Sequence, residues 1–142
     1  PSVYSGIALA ARNEALKFAT TYSPNSIVGT ISQLPNVRRL IGEIEVKLHQ
    51  MREVLYSTAR TWDEEVEYRS QMTAQLQVTK HIVTNTAIEV VDLAMRVVGA
   101  RSLSAKHPLQ RYYRDVRAGL HNPPMDDAVI SLLADQAIQS FN

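Results

Sequence analysis

The chain has 142 residues, 45% of them apolar, and a formal net charge of +1, which is the size of one domain with one core and no long-range pull toward nucleic acid or membrane. The absence of cysteine excludes disulfides, thiolate catalysis and cysteine-bound zinc, and is compatible with a reducing cytoplasm. No apolar run approaches the roughly 20 residues that span a bilayer, and no basic segment leads into an apolar one, so neither a membrane anchor nor a signal peptide is expected.

Pro1 to Tyr22 reads as a helix: Ile7, Ala10 or Ala11, Glu14, Ala15, Phe18 and Ala19 recur at three- and four-residue steps. Its small residues, Gly6, Ala8, Ala10, Ala11 and Ala15, let a neighbouring helix come close. Pro24 ends the helix, and Ile27 to Leu34 forms a short apolar connection. Asn36 is expected to cap a second helix, whose apolar seam runs through Val37, Ile41, Ile44, Leu48, Met51, Leu55, Thr58 or Ala59 and Trp62. The acidic stretch Asp63, Glu64, Glu65 and Glu67 reads as a solvated turn or as the capped start of the next helix.

A third helical pattern runs from about Tyr68 to Val98, through Met72, Leu76, Val83, Ala87, Val90, Ala94 and Val97, and stops at Gly99. Asn122 followed by Pro123 predicts a capped start for a last helix, Met125 to Phe141, with Val129, Leu132, Leu133, Gln136 and Ala137 inward. Four long helices, one short one and no strand predict an all-α, up-and-down four-helix bundle over residues 1–142. Without repeats or a change of composition, it is a single domain.

Between the last two long helices lies the stretch that a plain bundle does not require. Gly99 to Asp127 gathers Arg101, Lys106, Arg111, Arg114 and Arg117, a local concentration suited to a small anion. On a helix from Pro108 to Arg117, three-residue steps put Arg111, Arg114 and Arg117 on one face, and Asp115 is spaced to hold Arg111. The other reading of that face is a solvated surface pinned by ion pairs. His121, placed at the mouth of a helix start, is the candidate acid or base. His49, His81, His107 and His121 fall in separate elements, and Glu45 and His49 are four apart where a di-iron carboxylate bundle needs three. No metal site is expected.

Val97-Val98-Gly99-Ala100-Arg101 followed by Pro108-Leu109-Gln110-Arg111-Tyr112-Tyr113-Arg114-Asp115 resembles the C-terminal helical domain of acyl-CoA dehydrogenases, and Gly6 to Ala19 resembles that domain's first helix. The resemblance implies a bundle that follows an N-terminal helical domain and a middle β domain, so this chain, beginning at Pro1, is expected to be a fragment that is inactive alone. It also implies FAD, bound between the middle domain and bundles of a homo-oligomer, a dimer or tetramer, with acyl-CoA as substrate. Carried over by position, Arg96, Gly99 and Ala100 would lie at the FAD pyrophosphate, with Arg101 and Arg114 adding positive charge.

The family's Arg-x-x-Phe-Gly segment has no counterpart in Pro24 to Gly29. Its catalytic Glu-Gly-Thr would fall near Pro123-Pro124-Met125, where no carboxylate stands. His121-Asn122-Pro123 instead resembles the branch of two-component flavin monooxygenases, which implies reduced FMN or FAD supplied by a reductase, an aromatic substrate, and a catalytic histidine beside the flavin. The broad expectation is a dehydrogenase-like oxidoreductase, with the monooxygenase as the alternative and a non-catalytic helical assembly module as the second.

Overall fold

Four alanines set how closely the helices pack. In the computed structural model, which describes residues 1–141, α1 (Ser2–Thr21) buries Ala8, Ala11, Ala15 and Ala19. These positions are three, four and four residues apart, hence one stripe. Against that stripe lies α3 (Thr73–Val98), which buries Val83, Ala87, Val90, Val91, Ala94, Val97 and Val98. The other side of α3 takes α2 (Pro35–Glu64), through Val37, Leu40, Ile44, Leu48 and Met51. Valine and threonine lower the intrinsic helix propensity of α3, and its central burial between two helices supplies the stability instead.

Short 3₁₀ turns make the connections. Ile31–Gln33 precedes α2, with Ile31 buried and its N–H donated to the Tyr22 carbonyl at 3.0 Å. The acidic stretch lies exposed where α2 ends, and Val66–Gln71 then forms a 3₁₀ turn, so α3 begins at Thr73 and not at Tyr68. Thr58 and Thr79 meet across the α2–α3 seam in a buried hydroxyl pair at 2.7 Å. Beyond Thr58 the end of α2 leaves the core, and Trp62, expected in the seam, is 39% exposed beneath the guanidinium of Arg69.

The short helix α4 (Pro108–Arg117) has the expected bounds and lies against both α1 and α3. The last helix, α5 (Asp126–Phe141), departs from expectation. Asn122 is not its cap, because Pro124 keeps Pro123 out of the helical region, and the helix starts four residues past Asn122 with Asp126 and Asp127 in its first turn. Of its five expected inward residues only Val129 is buried, Leu132 is half-buried, and Leu133, Gln136 and Ala137 are exposed. Asn36 likewise does not cap α2: Pro35 takes the first helical position, which suits a residue without an N–H, and Leu34 precedes it in extended backbone.

The molecule is thus the expected all-α bundle with one short helix, except that α4 closes the core while most of α5 stands away from it. No helix among the described residues is long and apolar enough to cross a membrane.

Candidate functional site

The basic stretch begins where α3 stops. Gly99 has φ +73° and ψ −153°, a backbone conformation that side chains oppose, and its N–H still closes the helix on the Met95 carbonyl. A Cβ placed there would meet nothing within 4 Å, so the glycine serves backbone geometry and leaves an open approach. The 3₁₀ turn that follows, Gly99–Leu103, is fixed by buried Ser102, whose hydroxyl donates to the Gly99 carbonyl at 2.7 Å. Gly99 and Ala100 lie exposed at its surface.

The arginines divide by partner. Arg101 stacks on Tyr22 at 4.3 Å, with Phe18 behind it, bracing α1 against the turn. Arg117 donates to both Asp92 oxygens, at 3.0 and 3.3 Å, and to the Tyr113 carbonyl while lying over the Tyr113 ring. It is therefore a clamp between α4 and α3, the ion-pair reading of the cluster. Arg111 lies over Tyr112 at 5.5 Å and, among the described residues, makes no ion pair with Asp115, although the spacing allows one. Arg96 and Arg114 are exposed and have no described side-chain partner. Arg96 borders a shallow cleft of about 280 Å³ with Lys47, Glu89, Asp92 and Leu93.

His107 has a structural task that the sequence reading missed. It is the N-cap of α4, its Nδ1 accepting the Leu109 N–H at 3.2 Å. That arrangement requires Nδ1 to be unprotonated. A small cleft of about 200 Å³, lined by Ala105, Lys106, His107, Pro108, Gln110 and Arg111, opens beside it.

His121 is exposed and follows the 3₁₀ turn Ala118–Leu120, its N–H bonded to the Ala118 carbonyl at 3.1 Å. It does not sit at the mouth of a helix start as expected, since α5 begins five residues later. The surrounding segment is held from three sides. Gly119 is wedged so closely that a Cβ would lie 2.5 Å from the Thr84 methyl and 3.1 Å from the Tyr4 ring. Asn122 hydrogen-bonds the Tyr4 hydroxyl, and Asp126 is caught by α3.

That last contact is a cluster absent from the sequence reading. Asp126 accepts from the Asn85 amide at 2.9 Å, and its Oδ1 lies 2.9 Å from His81 Nδ1 and 3.9 Å from Lys80 Nζ. Burial works to raise the Asp126 pKa, but the Asn85 and His81 contacts and the charges of His81 and Lys80 outweigh it, leaving the carboxyl below its usual 3.8. A depressed carboxyl stabilises the fold above its unfolded value and loses that contribution as pH falls through its folded value. The attachment of α5 is therefore expected to weaken as pH is lowered below about 4, and Asp126→Asn should flatten the dependence of the thermal midpoint on pH in that range.

The sequence profile described as "Acyl-CoA dehydrogenase, C-terminal domain" matches residues 2–122. YdbM of Bacillus subtilis (strain 168), assigned as an acyl-CoA dehydrogenase, is 54% identical over 140 residues, which are 99% of this chain and 36% of YdbM. Butyryl-CoA dehydrogenase from Megasphaera elsdenii superposes with a TM-score of 0.84 at 16% identity, over 95% of this chain and 34% of its own. KijD3, solved with FMN and a dTDP-linked amino sugar, superposes with a TM-score of 0.79 at 28% identity, over 96% of this chain and 34% of its own. This chain thus spans about a third of the length of these relatives. A profile match over most of the sequence, on a bundle with the same helical fold, means that the chain belongs to the acyl-CoA dehydrogenase family, as its C-terminal helical domain.

Proposed function

We propose that this chain is the C-terminal domain of a longer, cytoplasmic, flavin-dependent oxidoreductase of acyl-CoA dehydrogenase type, in which it forms one wall of the FAD site and joins copies into a dimer or tetramer. The observation that carries this reading is the surface at the end of α3. There an exposed glycine at positive φ leaves its backbone open to approach beside exposed Arg96, and Arg114 is exposed on α4; neither arginine has a side-chain partner among the described residues. Those residues fit a phosphate-bearing group that arrives from outside the chain, since guanidinium groups recognise phosphate by charge-assisted, bidentate hydrogen bonds. Arg101 acts indirectly, by stacking on Tyr22 and fixing the turn.

When bound, the flavin would supply the redox chemistry; Arg96, Gly99, Ala100 and Arg114 would hold and orient its phosphates. A second reading, a monooxygenase using reduced FMN or FAD from a reductase, has a specific observation in its favour. The segment that presents His121 contains no carboxylate from Asn122 to Met125. α-Proton removal from an acyl-CoA is expected to use a carboxylate, and none stands from Asn122 to Met125; an imidazole that holds or gives a proton suits oxygen activation instead.

Purified full-length protein separates the two. Yellow protein with bound FAD supports the dehydrogenase, and colourless protein that turns over only with a reductase and reduced flavin supports the monooxygenase. In either case Arg114→Ala is expected to weaken flavin binding about tenfold, the size of one charge-assisted hydrogen bond. Unchanged flavin affinity in Arg96→Ala and Arg114→Ala variants would leave the bundle as an assembly module only.

A further inference from the structure

Lysine is almost never buried unless paired, and this molecule buries one, Lys80, at a telling place. The apolar seam of α3 steps from Leu76 to Val83, and Lys80 fills the intervening position. Its side chain is 8% exposed, and its Nζ has no hydrogen-bond partner among the described residues. The nearest opposite charge is Asp126 Oδ1 at 3.9 Å, in the first turn of α5. Burying an ammonium costs several kcal/mol unless a charge answers it, and Asp126, also approached by Asn85 and His81, is that answer.

What Lys80 holds follows from its position on α3. One turn further along the same face, Thr84 supports Gly119. The segment between Gly119 and Asp126, which carries His121, is therefore fastened at both ends to adjacent turns of one rigid helix. Asn122 adds a lateral tie to Tyr4 of α1. With only Val129 of α5 buried among the described residues, the task of holding the segment falls largely on Asp126, which Asn85 and His81 approach at 2.9 Å and the buried Lys80 ammonium answers at 3.9 Å.

We infer that Lys80 is a positioning residue: through Asp126 its buried ammonium fixes the start of α5 and, with it, the direction in which His121 is presented. The role of His121 in this inference rests on the reading given above; the fastening of the segment does not.

The test is amide hydrogen exchange and turnover of the full-length protein carrying Lys80→Met, with Lys80→Arg beside it. Exchange over residues 119–130 is expected to quicken about tenfold or more, with the centres of α1, α2 and α3 unchanged. Turnover should fall about tenfold at unaltered flavin affinity, with partial recovery in Lys80→Arg, and Lys80→Met should add nothing in a His121→Ala background, because residues that act through one another are not additive. Unchanged exchange over 119–130 would overturn the inference, and so would losses in turnover that add independently. Faster exchange together with a His121→Ala variant of full activity would support the fastening and remove the reading of His121 instead. If Lys80→Met does not fold, Lys80→Met/Asp126→Leu decides: a folded double variant supports the pair, since no charge is then left buried alone, and an unfolded one overturns it.

Discussion

Alanine in place of His121 in the full-length protein is expected to lower turnover about a hundredfold while leaving folding and flavin affinity unaltered, if oxygen activation is the reaction. The magnitude is the lower end of what a positioned acid or base contributes. Folding should be spared because the His121 side chain is exposed and makes no described hydrogen bond, and the segment is held by Gly119, Asn122 and Asp126. Steady-state kinetics with reduced flavin and oxygen would check it, with added imidazole restoring part of the rate. Full activity in the variant would exclude the monooxygenase reading and return attention to a dehydrogenase whose base lies on another domain.

Leu109→Ala should destabilise the fold by about 2–5 kcal/mol, since Leu109 is fully buried and its loss leaves a cavity under the first turn of α4. For a chain of this size the thermal midpoint should drop by about 5–15 °C. Leu103→Ala, at a position 71% exposed, is the control and should stay within about 0.5 kcal/mol. Thermal unfolding followed by circular dichroism measures both. A Leu109 variant as stable as its control would mean that α4 is not docked as described, and the proposed flavin wall would go with it.

Most of the helical framework could be read from spacing. The alanines of α1, the valines of α3 and the seam of α2 announce which sides face one another, because burial of a stripe requires repetition near 3.6 residues. Pro108 and Gly99 announced where α4 starts and α3 stops, through backbone restrictions that hold in any surroundings. The misplaced starts of α2 and α5 are instructive in the same terms. At both, a cap preference of Asn36 or Asn122 was set against a proline rule, and the proline rule won because it is steric while capping contributes only about 1 kcal/mol.

The candidate site was legible as composition and not as geometry. Five basic residues in one stretch stand out in the sequence, yet nothing local tells that Arg117 would clamp Asp92, that Arg101 would lie on Tyr22, or that Arg96 and Arg114 would remain free. The two contacts join residues 25 and 79 positions apart. Lys80 did leave a trace, as a cation in line with an apolar seam, but its meaning needed Asp126 in place.

The sequence by itself therefore determined the number of α-helices, their order and the faces that α1, α2 and α3 bury, since periodicity and proline and glycine sterics act within a few residues. The tertiary structure alone decided which charges are paired, how far α5 joins the core, and how the segment around His121 is held. Those depend on what other helices bring into reach, and an electrostatic contact is fixed by distance in space, not along the chain.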